Sequence, residues 1–158
     1  SILIGWVTLR GDATDLTIAA KQVTAIGMSV EDIEVNRVND RVWYPGRPTP
    51  EEVTVTFDNL YLKKAASQLW RWFTTIYDPI TGEMTPGSAP GGNDAPGAGK
   101  IQKMSVIQLD NTSQPHATVD LFAVYPKSWK TSEFNYSTNE FHTLEVVFRY
   151  DFMQAANY

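Results

Sequence analysis

Apolar and polar positions alternate over several short stretches of the chain, the two-residue period of strands with one buried face. In residues 53 to 58, Val53, Val55 and Phe57 fall on one side and Thr54, Thr56 and Asp58 on the other. Residues 143 to 152 repeat the arrangement, with Leu144, Val146, Phe148, Tyr150 and Phe152 set against Thr143, Glu145, Val147, Arg149 and Asp151. Further strands are expected at about 2 to 9, 16 to 23, 30 to 43, 101 to 110 and 117 to 124, divided by turn residues such as Gly11-Asp12 and Asp110-Asn111. The fold class implied is mainly β, an antiparallel sandwich or barrel.

One segment departs from this period. Leu62, Ala65, Ala66, Leu69, Phe73 and Ile76 recur at three- and four-residue spacing, which predicts one flanking amphipathic helix over Leu60 to Tyr77. Asp58 or Asn59 can cap its start, and Pro79 stops it. Trp70, Trp72 and Phe73 cannot share one stripe, so at least one of them is expected to meet a loop or another subunit. Residues 78 to 100 hold Pro79, Pro86, Pro90 and Pro96 with Gly82, Gly87, Gly91, Gly92, Gly97 and Gly99, and read as a long loop. It is not a linker, because the strand-like residues after it are too few to fold alone. The whole of 1–158 is read as a single domain.

Composition narrows the function classes. At 158 residues, a two-domain enzyme with a cleft between domains is disfavoured. The absence of cysteine excludes disulfides, thiolate metal sites and a cysteine nucleophile. A net charge of -5 argues against a basic, phosphate-gripping surface. No apolar run nears the length of a membrane span, so a soluble chain without membrane insertion is expected, and the first residues show no secretory signal.

Candidate chemistry is sparse. His116 and His142 lack the spacing of metal ligands, and Glu31, Asp32 and Glu34 would alternate across a strand. Ser105 or Ser128 could be drawn beside His142, yet neither sits in a nucleophile-elbow pattern. The Gly-rich stretch follows the helix instead of preceding it, the reverse of a phosphate cradle, and leaves Lys100 alone. No enzyme signature, cofactor or metal site emerges.

The stretch from Asn36 to Pro50 is more informative. It sets Arg41, Trp43, Tyr44, Pro45, Gly46 and Arg47 on a projecting hairpin tip, a composition typical of interface hot spots. The alternative is that these aromatics fold back on their own domain.

In order, these elements resemble the tail tube proteins of contractile-tailed bacteriophages, a family shared with type VI secretion and extracellular contractile injection tubes. The likeness rests on Val30 to Pro50 with its Pro-Gly-Arg and on Glu52-Val53-Thr54-Val55-Thr56-Phe57 running into the helix. It continues in Leu121-Phe122-Ala123-Val124-Tyr125-Pro126, where Trp-Pro is the commoner form, and in Asn139-Glu140-Phe141-His142-Thr143-Leu144-Glu145-Val146-Val147-Phe148. The unusually long loop over 78–100 is a departure from the pattern.

The resemblance implies a structural, non-enzymatic subunit whose strands contribute to an inter-subunit β-barrel channel in stacked hexameric rings. Residues 36–50 would then touch the next ring through Arg41, Trp43, Tyr44, Pro45, Gly46 and Arg47. Thr54, Thr56, Asp58, Glu145 and Asp151 would line a lumen that lets double-stranded DNA slide through unbound. The partners implied are copies of itself, a tail sheath, a baseplate or tube initiator, a tape measure and a tail terminator, in a phage tail assembled in the host cytoplasm. Tubes of type VI secretion or extracellular injection systems are the alternative use. A carbohydrate-binding sandwich with Trp6, Trp43 and Trp129 as sugar platforms is the rival from another class.

Overall fold

The computed structural model describes residues 2–7, 14–59, 65–84, 99–132 and 142–156. The order of elements is β1 (Ile2–Val7), α1 (Thr14–Ala19), β2 (Ala20–Val23), β3 (Met28–Arg37), β4 (Asp40–Pro50), β5 (Val53–Asp58), α2 (Ala65–Ile76), β6 (Ile101–Leu109), β7 (Pro115–Thr131), β8 (Thr143–Arg149) and β9 (Phe152–Ala156). Every pairing is antiparallel. One curled sheet runs β1-β6-β7-β8-β5-β2, with β9 also on β7, while among the described residues β3 and β4 pair only with each other. The mainly β architecture expected from the alternation is therefore present, as a half-barrel flanked by α2.

The curl comes from β7. Its first part, to Val124, pairs with β6 and its last part, from Tyr125, with β8. Between them Ala123 takes φ 55°, a left-handed conformation rare for a residue with a Cβ, and the strand changes direction there. At the same corner Asp151 N–H donates to the Phe122 carbonyl at 3.0 Å. The concave side is the core: Val53, Val55, Phe57, Met104, Leu121, Val124, Val146 and Phe148 are fully buried. Helix α2 lays Ala65, Leu69 and Trp72 over it, and Trp72 meets Phe148 at 5.6 Å between ring centroids.

Several expectations are corrected. Residues 16–23 form no single strand, because Leu16 and Ala19, one helical turn apart, are both buried and residues 14–19 coil to put them there. The strand expected over 143–152 breaks at Tyr150-Asp151, so Phe152 passes to β9 and lies half exposed instead of continuing the buried face. The 117–124 strand is extended to seventeen residues because it serves both parts of the sheet.

The turn expected at Asp110-Asn111 is present. The Asp110 carboxylate accepts from Thr112 N–H (2.8 Å), Thr112 Oγ1 (2.7 Å) and Gln114 N–H (2.9 Å), closing the β6–β7 connection. Those bonds, the Gln114 one foremost, hold its carboxyl below the ordinary aspartate value. Of the aromatic run on α2, Trp72 meets a loop: its indole N–H donates to the Gly99 carbonyl at 2.8 Å. Trp70 is partly exposed and stands against Trp129 at 5.1 Å. Gly11-Asp12, the helix start over 60–64, most of the long loop (85–98) and Asn139-Glu140-Phe141 lie outside the described residues.

Candidate functional site

The strands β3 and β4, ten and eleven residues long, form a hairpin arm. Its turn is at Val38-Asn39, so Trp43 and Tyr44 are not at a loop tip, as expected from the sequence, but midway along β4. The prolines that suggest a loop are compatible with a strand because β4 is an edge, where a missing N–H costs no ladder bond. Directly opposed residues share a face, so Ile33 with Tyr44 and Val35 with Val42 make an apolar patch on one side. On the other side stand Asp32 opposite Pro45, Glu34 opposite Trp43 and Asn36 opposite Arg41.

The arm is short of packing partners. Trp43 is 58% exposed, Tyr44 46%, Ile33 52% and Val38 100%, so the aromatics do not fold back on their own domain. An unsupported hairpin is marginal in water, and this one spends apolar side chains on solvent. A register shift at Val30/Asp32 bends it, and there Gly46 is required: a Cβ would stand 2.8 Å from the Glu31 carbonyl oxygen. Arg41 reaches Glu34 at 3.3 Å, which holds the two strands together near the tip, while Arg47 is exposed.

At its base the arm is fixed to the body. Glu51 N–H donates to the Gly27 carbonyl (3.0 Å), which also accepts from the Tyr150 hydroxyl (2.8 Å). Burial, with the Glu51 charge, pushes the Tyr150 phenol above its usual value, keeping it a donor. Thr54 N–H donates to Thr24 Oγ1 (2.9 Å), and Thr24 N–H to the Thr54 carbonyl (2.9 Å). Glu52 accepts from Lys127 and, at 2.9 Å, from Arg149. The Lys127 hydrogen bond leads the effects that hold the Glu52 carboxyl below its usual value.

The second candidate surface is the solvent face of β5 and β8. Register puts Thr56 opposite Glu145, Asp58 opposite Thr143 and Thr54 opposite Val147, so Thr54, Thr56, Asp58 and Glu145 lie together. Asp151 does not join them. It sits at the corner after β8, with both its oxygens near Lys100 Nζ (3.0 and 3.1 Å), and Lys100 lies over the Tyr125 ring at 5.5 Å. Lys100, which stands alone in the sequence, is thus paired.

Sequence reasoning missed the cations on this face. Lys21 lies 3.6 Å from Asp58, Lys130 is opposite Glu145, and Lys127 and Arg149 share Glu52. The alternation of β8 already carried Arg149 to this side, whereas Lys21, Lys127 and Lys130 arrive through pairing with β2 and β7, which no local pattern reveals.

The other residues singled out do not converge. Ser105 donates to Asp120 at 2.6 Å instead of to a histidine. Burial raises the Asp120 carboxyl, but the bonds from Lys103 (2.7 Å) and Ser105 and the lysine charge outweigh it and leave it below its usual value. Among the described residues no His, Asp and Glu cluster could hold a metal, and no helix is long and apolar enough to cross a membrane. Trp43 and Trp129 stand on separate elements, the arm and the body. The side chain of Trp6 lies outside the described residues.

Comparison with known proteins adds the following. The family model described as T4-like virus tail tube protein gp19 matches residues 7–154. Among solved structures, the chain is similar to one in the sheath/tube terminator of an extracellular contractile injection system, PVC, in the extended state. That likeness has a TM-score of 0.72 at 15% identity and covers 98% of this chain and 92% of that one. The sheath–tube complex of the same system gives 0.70 at 16%, covering 98% and 88%. The six-fold symmetrised baseplate of the anti-feeding prophage gives 0.68 at 11%, covering 98% and 90%. At such identities the likeness is one of fold. Curated protein sequences give no match.

Proposed function

The chain belongs to the T4-like virus tail tube protein family, and from that premise we propose that it is the repeating structural subunit of a phage tail tube. Its hexameric rings stack, and their lumen conducts genomic DNA during ejection. The observation that carries this reading is the arm of β3 and β4, which leaves Ile33, Val38, Trp43 and Tyr44 in solvent while bonded firmly at its base. A monomer gains nothing from such an arm; a stacked assembly covers it.

The solvent face of β5 and β8 fits the lumen. Its threonines are neutral, and Lys21, Lys127 and Arg149 each lie against a carboxylate, the last two sharing Glu52, so it offers passing phosphates few free charges. Hexameric closure agrees with the six-fold baseplate among the similar structures, and so do sheath, baseplate and terminator as neighbours, since structures of such assemblies share this fold. A tape measure inside the lumen and a site in the virion tail, after assembly in the host cytoplasm, complete the reading. The role is structural and requires no catalysis.

A second reading, a tube subunit of an extracellular contractile injection system, has its own support: similar structures include the sheath/tube terminator and the sheath–tube complex of such a system. Negative-stain electron microscopy of the purified protein tests the common part. Rings or stacked tubes are expected, and a strictly monomeric species at every concentration and salt would overturn it. Recovery of the tube from DNA-filled particles decides for the phage.

A further inference from the structure

The arm of β3 and β4 joins the body through two short connections, residues 24–27 before β3 and Glu51-Glu52 after β4. Its direction is not set along its length, since every residue of β3 is exposed and none of β4 is buried. Direction has to come from the base. The ten residues of β3, at about 3.4 Å each, make a lever of roughly 30 Å. An error of about 10° at the base therefore moves the tip by roughly 5 Å, more than the ~4 Å within which side chains touch.

The bonds at the base differ in what they join. Those between Thr24 and Thr54 continue the ladder of β2 and β5, and Ile26 packs against the core, which holds the first connection at its start. Glu51 N–H on the Gly27 carbonyl ties the two connections to each other and turns with them. Glu52 reaches Lys127 and Arg149 on the body, but all three side chains are at least 36% exposed, where water and salt weaken ion pairs. The Tyr150 hydroxyl is different. It donates to the same Gly27 carbonyl at 2.8 Å, one residue before β3 begins, from a ring that is 2% exposed and part of the core. Its other neighbour belongs to the body: Met153 Sδ, a weak acceptor, at 3.8 Å.

We infer that Tyr150 is a positioning residue: its hydroxyl, held on the Gly27 carbonyl, sets the direction in which the arm leaves the body, and so the concentration at which copies assemble. The inference rests on the tail tube reading, in which neighbours cover the arm, and it names a buried residue that governs the arm without touching a neighbour. A subunit whose arm points elsewhere is not competent to join, and apparent affinity falls with the fraction that is correctly aimed. Loss of one neutral hydrogen bond changes such a ratio by about 2- to 12-fold.

The chain contains no cysteine, so Val38→Cys at the tip of the arm and Asn111→Cys on the body, both exposed, take one nitroxide each. Pulsed electron spin resonance on dilute protein reads the distribution of distances between them, and electron microscopy over a concentration series reads where rings or tubes begin to form. Tyr150→Phe keeps the aromatic ring and leaves the Gly27 carbonyl its bond from Glu51, so no buried acceptor is orphaned. It is expected to broaden the distance distribution and to raise the assembly concentration by about 2- to 12-fold. Val119→Ala, a buried change that touches no bond at the base, should lower stability yet leave both readings at their wild-type values. Met153→Gln makes the test a second way with Tyr150 intact, and serves if Tyr150→Phe does not fold: its amide oxygen draws the phenol off Gly27, so it should broaden the distribution where Met153→Leu does not. Distributions as narrow as wild type in Tyr150→Phe and Met153→Gln, with tubes forming at the wild-type concentration, would overturn the inference and leave the tube standing, and so would equal broadening by Val119→Ala. Wild type that is monomeric throughout, with distances that still respond to Tyr150→Phe, would overturn the tube reading while keeping Tyr150 as the group that aims the arm.

Discussion

Ala123 sits in a conformation that its own side chain disfavours. An L-residue at φ 55° costs roughly 1–2 kcal/mol, and Ala123 is held there because β7 must leave β6 and join β8 within two residues. Glycine would relieve that cost but gives up a buried methyl group worth about 0.8 kcal/mol, so Ala123→Gly is expected to change stability by less than about 1 kcal/mol in urea unfolding. Ala117→Gly supplies the contrast. Ala117 lies on the same strand, equally buried at 3% exposure and with an ordinary φ, so nothing is relieved and its substitution should cost about 1 kcal/mol more than that of Ala123. Ala123→Val, with a branched Cβ in the same region, should cost at least about 2 kcal/mol. Equal losses at 117 and 123 on replacement by glycine would show that the corner stores no strain.

Among the elements, the arm and its base respond to different perturbations. Glu52 joins Lys127 and Arg149, and its carboxyl is held below the ordinary glutamate value, first by the Lys127 hydrogen bond. A carboxylate with a lowered folded pKa adds stability that is present above the unfolded value and is lost as pH falls through the folded one. Wild type should therefore unfold later than Glu52→Gln near neutrality, with the gap closing below pH 4.5; a gap that is constant with pH would mean the clamp is not electrostatic. Trp43→Ala with Tyr44→Ala acts elsewhere. Both side chains are exposed, so unfolding should shift by no more than about 0.5 kcal/mol each, while ring stacking in micrographs is lost. Loss of fold instead would make them core residues. How far these elements could be read from the chain depends on what fixes each one. Strand β5 and the start of β8 are legible because their buried faces follow the two-residue period. Helix α1 is not, since Thr17 and Ile18 favour a strand and only packing of Leu16 and Ala19 selects the coil. The break at Tyr150-Asp151 is hidden because alternation runs on through it while β7 stays the partner on one side and β5 is lost on the other. Trp43, Tyr44 and Arg47 are legible as a projecting, exposed group, but not their place along β4, because prolines read locally as loop are allowed on an edge.

For the whole molecule, the decisive quantity is the charge that a passing polymer meets. The chain carries a net charge of -5, but on the face of β5 and β8 Lys21 lies against Asp58, Lys127 and Arg149 share Glu52, and Lys130 stands opposite Glu145, so the cations outnumber the carboxylates there by one per subunit. Retention of duplex DNA depends on free cations releasing counterions from phosphates, and its salt slope counts them at about 0.9 per contact. Every one of these cations already has a carboxylate beside it, so assembled wild-type protein is expected to retain duplex only weakly at near-physiological salt, with a shallow slope. Thr54→Lys, Thr56→Lys and Glu145→Lys together add one positive charge at each threonine and two at the glutamate, on positions that register places side by side. If that face lines the lumen, the triple variant should still assemble but hold DNA at low salt and release it steeply as salt rises. Each subunit of a ring would then present its new lysines to the same duplex, so retention should exceed that of an equal number of lysines placed on exposed turns away from the arm, at Glu83, Asn111 and Gln114. Equal retention by the two sets would mean that the face of β5 and β8 lies outside the bore, and the lumen would have to be sought on the opposite wall of the half-barrel, where Lys103 and Asp120 pair beside the stacked Phe122 and Phe152.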